Sequence, residues 1–110
     1  MTEIRYKHKS KSFELTVTGH AEFSQNKEPD RVCAAVSALV CTLAGKISEL
    51  EEKNVFQMCP KITLESGKAV IKVRVKETAE IKVQNYFELT AYGLELIALE
   101  YPENVSFVKA

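Results

Sequence analysis

A cysteine and a histidine carry the chemistry this chain can offer. There are three cysteines, Cys33, Cys41 and Cys59, and two histidines, His8 and His20. Cys33 opens a stretch of helical periodicity just after Asp30, a good helix N-cap residue. With Asp30 as the cap, Cys33 is the third helical residue. It then lies beside unpaired backbone N–H groups and the positive end of the helix dipole. Both favour the thiolate, the reactive form of the side chain. The small neighbours Ala34, Ala35 and Ser37 shield it little. A nucleophilic thiol needs a base. His8 lies in a basic, polar stretch, whereas His20 follows Gly19 and opens the segment that returns to Cys33. A His and a Cys in hydrogen-bond reach form an activated nucleophile. Backbone N–H groups of Cys33, Ala34 and Ala35 would then hold an oxyanion. The plain alternative is a cysteine that only packs and a loop histidine that bonds backbone.

Positioning such a pair requires a strand, a loop and a helix in that order. Ile4 and Tyr6 alternate with polar neighbours and predict a first strand, followed by a turn at Ser10-Lys11-Ser12. Phe13, Leu15 and Val17 have the period of a half-buried strand, which Gly19 ends. Residues 21–29 have no period and read as a polar loop closed by Pro29. Val32, Val36, Leu39, Val40, Leu43, Ile47 and Leu50 form the apolar stripe of a helix over about residues 31–52. Ile62 and Leu64, a Ser66-Gly67-Lys68 turn, and Ile71, Val73 and Val75 predict a hairpin. Val83, Phe87, Ala91, Leu94, Ala98 and Tyr101 mark a second helix over residues 78–101, weakened locally by Gly93 and stopped by Pro102. Val105 and Phe107 suggest a short last strand. The fold expected is α+β, in the order β-β-α-β-β-α(-β), with a small antiparallel or mixed sheet packed against two long helices.

At 110 residues and 12.4 kDa, with 45% hydrophobic and 27% charged side chains, the chain is one domain spanning residues 1–110. No run approaches the ~18 apolar residues of a membrane span. The N-terminus has no apolar signal region, so the expected location is the cytoplasm. The odd cysteine count, without CxxC spacing or a histidine at finger distance, argues against a disulfide framework or a zinc site. No cofactor is implied. Cys41, about 12 Å further along the helix, reads as core, and Cys59 as a loop thiol. The charge is zero overall but uneven: +3 over residues 1–12, +4 over 61–76 and −4 over 77–110. Lys72, Arg74 and Lys76 form a basic strip. With no interleaved aromatics, it reads as a solvated strand face, and a nucleic-acid partner is disfavoured.

Thr18-Gly19-His20-Ala21, a loop, and then Asp30-Arg31-Val32-Cys33-Ala34-Ala35-Val36-Ser37-Ala38-Leu39 resemble the signature of the ribosomal-processing cysteine protease family, Prp (YsxB-like). The tail from Gly93 to Pro102 resembles the end of that family too. The resemblance implies a bacterial endopeptidase that removes the short N-terminal extension of a large-subunit ribosomal protein. It makes Cys33 the nucleophile and His20 the general base, with Gly19, Asp30 and Ser37 supporting the site. It further implies a homodimer and a mobile loop over the site. This chain departs from the pattern at Glu22, where a small residue is usual, at Lys27-Glu28-Pro29, where a glycine is common, and at Arg31, which replaces an aliphatic residue. The loop is also about two residues longer. These departures keep open a divergent protease, for instance a phage-borne copy, that acts on another precursor. A non-catalytic binding module on the ribosome is the other alternative, and a redox sensor at Cys33 lacks a resolving thiol.

Overall fold

The computed structural model describes residues 1–19 and 27–110, with side chains described for 1–19 and 31–110. Strands β1 (Thr2–Lys9), β2 (Ser12–Thr18), β3 (Lys61–Glu65), β4 (Lys68–Arg74) and β5 (Val105–Lys109) form one sheet in the order β3-β4-β2-β1-β5. All neighbours are antiparallel except β1 and β5, which are parallel, so the sheet is mixed. Helices α1 (Lys27–Leu50) and α2 (Glu80–Glu100) cover one face. The α+β order read from the periodicities, including the last strand, is the one observed.

The alternation of each strand decides which face is covered. Ile4, Tyr6, Phe13, Leu15, Val17, Ile71 and Val73 point toward the helices and are buried. Val32, Val36, Val40, Leu43 and Ile47 of α1 and Val83, Phe87, Ala91 and Leu94 of α2 meet them in one core. The helices approach closely where Leu39 packs on Gly93; a Cβ there would lie 3.0 Å from Leu39 Cδ1. By length and composition Arg31–Lys53 is apolar enough to cross a bilayer, contrary to the sequence count. Here its apolar stripe is part of the core.

Two features depart from the sequence reading. First, α1 starts at Lys27, so Asp30 is its fourth residue and not its cap. Pro29 falls in the first turn, where a missing N–H leaves no helical bond unmade. It therefore belongs to the helix and does not close the preceding loop. Second, α2 is apolar on two faces. Ile81, Leu89, Tyr92, Leu96 and Leu99 recur at helical spacing on its outer side and are exposed, Ile81 by 76% and Leu89 by 73%. A polar cluster ties three elements together beside this helix. The buried Tyr6 hydroxyl of β1 donates to Glu88 Oε2 of α2 at 2.5 Å. Lys109 Nζ of β5 donates to Glu88 Oε1 at 3.1 Å.

Candidate active site

Val32, Val36 and Val40 lie four residues apart on α1 and point into the core. The adjacent row, Cys33, Ser37 and Cys41, is one position further round the helix. Residues four apart stack on one face, and this row forms one wall of a cleft of about 270 Å³. Cys33 is half-buried and free, while Ser37 and Cys41 are exposed. The core reading of Cys41 is thus corrected: one residue off the valine row, its side chain looks into the cleft. Cys59 is an exposed loop thiol.

The opposite wall is made by the ends of strands. Val17 and Gly19 come from the end of β2, Thr2 from the start of β1, and Leu64, Glu65, Gly67, Lys68 and Ala69 from the β3–β4 hairpin. Gly19 is fixed there by close approach. Its φ is +86°, and a Cβ would fall 2.3 Å from the carbonyl oxygen of Met1. Its N–H donates to the Gly67 carbonyl at 2.9 Å, and Gly67 also has a positive φ, +78°. The hairpin turn thereby holds the end of β2 in place. Sequence reasoning missed this hairpin wall, because Ser66-Gly67 signals a turn but not what the turn touches.

His20 lies outside the described residues, as do residues 21–26 with Glu22; the side chain of Asp30 does too. The structure therefore brings together Gly19, Cys33 and Ser37, with His20 the next residue after Gly19. The helix start at Lys27 alters the electrostatic argument. Cys33 is the seventh helical residue, beyond the first turn to which the dipole effect is confined. In a helix from Lys27, the N–H groups of Cys33, Ala34 and Ala35 fall within the i→i−4 ladder. Among the described residues, no group of three His, Cys, Asp or Glu side chains could hold a metal ion.

The cleft is lined mainly by Val17, Val36, Val40, Leu64 and Ala69, with two thiols, Cys33 and Cys41, on one wall and Glu65 and Lys68 flanking the turn. An apolar cleft with a few polar groups at its edge is the usual form of a ligand site, and its thiols are the nucleophiles it offers. The model of the cysteine protease Prp family matches residues 1–106. The chain belongs to this family. It is accordingly an enzyme, a cysteine protease. Its fold is similar to that of the essential ribosomal processing protease Prp from S. aureus in complex with a covalently linked product peptide, at TM-score 0.72 and 22% identity, with 100% of both chains covered. The S. aureus protease in complex with a substrate peptide gives TM-score 0.68 and 20% identity, again over 100% of both chains. SMU.848 from Streptococcus mutans gives TM-score 0.69 and 25% identity, covering 99% of this chain and 93% of the other. A search of curated proteins finds none that matches.

Proposed function

We propose that this chain is a cytoplasmic endopeptidase that removes the N-terminal extension of a large-subunit ribosomal protein precursor with a Cys33–His20 dyad. One observation carries the reading. Cys33 and Gly19 line the same cleft, so the residue after Gly19 starts from the wall facing the thiol. The S. aureus relative is a ribosomal processing protease that holds a product peptide through a covalent link, which agrees with a thiol nucleophile.

His20 takes the proton from Cys33 Sγ, and the sulfur attacks the scissile carbonyl carbon. The carbonyl π electrons move to oxygen, then return as the C–N bond breaks and His20 protonates the departing amine. Water, losing its proton to His20, hydrolyses the thioester and regenerates the thiol. Holding the oxyanion on the N–H groups of Cys33, Ala34 and Ala35 requires the start of α1 to open through Arg31, whose carbonyl with those of Pro29 and Asp30 accepts from them in the ladder. Ser37, one turn after Cys33 on the cleft wall, contacts the substrate backbone. Asp30 supports the site through the position of the first turn of α1. The reaction needs no metal or cofactor.

The protein acts as a homodimer through the outer stripe of α2. The stripe leaves five large apolar side chains exposed on one helix face, Ile81, Leu89, Tyr92, Leu96 and Leu99, the kind of contiguous apolar surface that marks a protein–protein contact.

The test is mass spectrometry of the full-length precursor incubated with wild type and with Cys33→Ala. The expected result is one cut after the apolar leader, at least 10³-fold slower in the variant. Cleavage at an undiminished rate by Cys33→Ala would overturn the dyad. No cut of this precursor by wild type, with efficient cutting of another, would favour the divergent protease.

A further inference from the structure

The register of the sheet gathers cations that are scattered along the sequence. Lys7 of β1 stands opposite Glu14 of β2, which stands opposite Lys72 of β4, which stands opposite Lys61 of β3. The next rows add Arg5 on one side, and Lys9 and Arg74 on the other. All six basic side chains are exposed and point away from the helices. Glu14 is the one carboxylate within these rows; Glu3 and Glu65 lie in the row at the cleft end. A chain of zero net charge thus presents six cations against one carboxylate in these three rows, and seven against three over the whole uncovered face once Lys68, Glu3 and Glu65 of the cleft-end row are included. Among the described residues none of the six is ion-paired: the described pairs are Lys46–Glu49 and Lys109–Glu88. Arg74 donates only to the neutral Gln57 and Ser12 side chains. Four strands across and two alternations along, the patch measures roughly 14 by 13 Å.

The rest of the face narrows the partner. Val70 and Thr16 lie between the cations, no aromatic ring does, and none of the six residues lines a described cavity. Single-stranded nucleic acid is held largely by base stacking on aromatics, and a peptide by pockets for its side chains. A cationic sheet face without either fits the regularly spaced phosphates of a helical nucleic acid. We propose that the open sheet face is a docking surface for helical RNA, gripped through its phosphates by Arg5, Lys7, Lys9, Lys61, Lys72 and Arg74. The choice of RNA over DNA rests on the ribosomal-precursor reading above.

The experiment is fluorescence anisotropy with a labelled 20-base-pair RNA hairpin, using the full chain at 50 and 200 mM salt. About four neutralised phosphates should weaken binding about a hundredfold between the two salts. Lys7→Gln/Lys61→Gln/Lys72→Gln should lower the salt slope by about three and weaken binding at least tenfold at 50 mM. The helix-side control Lys53→Gln/Lys82→Gln should bind like wild type. No binding at 50 mM, or equal loss in the control, would overturn the proposal. Displacement of RNA by polyglutamate of matched charge would assign the face to an acidic protein instead, and equal affinity for a DNA duplex would overturn the RNA assignment. Cleavage of a short leader peptide, run on the same samples, should be unchanged in both variants. If wild type fails to cut it, the ribosomal-leader substrate is at fault, while binding of the hairpin to the sheet face is read separately.

Discussion

Cys33 is more covered than Cys41 or Cys59, so accessibility alone makes it the slowest of the three thiols to alkylate. A dyad with His20 reverses that order. Peptide mapping after brief iodoacetamide treatment should find Cys33 modified at least tenfold faster than Cys41. Equal or slower modification would leave Cys33 an ordinary packed thiol. A second residue-scale prediction concerns Glu88. The Tyr6 hydroxyl, and then Lys109, hold its carboxyl below the usual carboxylate range, against the opposing effect of burial. A depressed folded-state pKa contributes stability above the unfolded value of 4.5, and that stability is lost as pH falls through the folded value. Glu88→Gln should therefore cost about 1 kcal/mol at pH 7. Its gap from wild type in thermal unfolding should narrow as pH falls below 4.5 and through the lowered folded-state value. A gap that stays constant on acidification would assign the effect to packing. At this scale the sequence singled out Cys33 and Gly19, which line one cleft, because thiol chemistry and a glycine at a strand end are local signals. It misplaced Cys41, because one step round a helix separates core from cleft and the periodicity does not resolve that step.

Elements position the site through their ends. Strands β1, β2 and β4 were legible because each alternates along its length, β3 and β5 only from two apolar residues each beside a turn or a helix stop, and the helical stripes because they run for five turns or more. The start of α1 was not legible: Asp30 has the chemistry of a cap, and Pro29 that of a stop, yet a helix whose first turn contains both is sterically sound. The three extra residues ahead of Asp30 matter to function, since they move Cys33 from the helix end into its second turn. Gly19 is the element-scale residue most exposed to test. In Gly19→Ala a Cβ must displace the Met1 carbonyl and tolerate a positive φ. The expected cost is about 1–3 kcal/mol, seen as a melting temperature lower by several degrees. Peptide cleavage should fall further than stability at 25 °C explains, because the chain leaves β2 in another direction. Unchanged cleavage in a folded Gly19→Ala would separate Gly19 from the site.

The whole molecule is two layers with unequal outer surfaces. The helical layer carries the apolar stripe of α2, and the sheet layer carries the cations. Neither surface is evident from composition, which averages to zero charge and ordinary hydrophobicity. Both emerge only when register and helical phase sort residues onto sides. The stripe makes the proposed dimer testable by sedimentation. Wild type should sediment as a dimer at micromolar concentration, and Leu89→Glu/Leu99→Glu as a folded monomer. A wild-type monomer at 100-fold higher concentration would remove the homodimer. Both variant positions lie on the outer stripe of α2, so circular dichroism of the variant should match wild type.

The seating of Met1 against Gly19 has a practical side. Thr2 lines the cleft, so the first residues of the chain leave the fold beside the thiol. Any sequence fused ahead of Met1 would be tethered there at a millimolar effective concentration. A fusion carrying an apolar leader becomes an internal competitor, or a substrate that reports its own cutting in a single polypeptide. Ala110 bonds back to the Tyr6 carbonyl further along β1, which makes the C-terminal end the place for a tag that must stay out of the reaction.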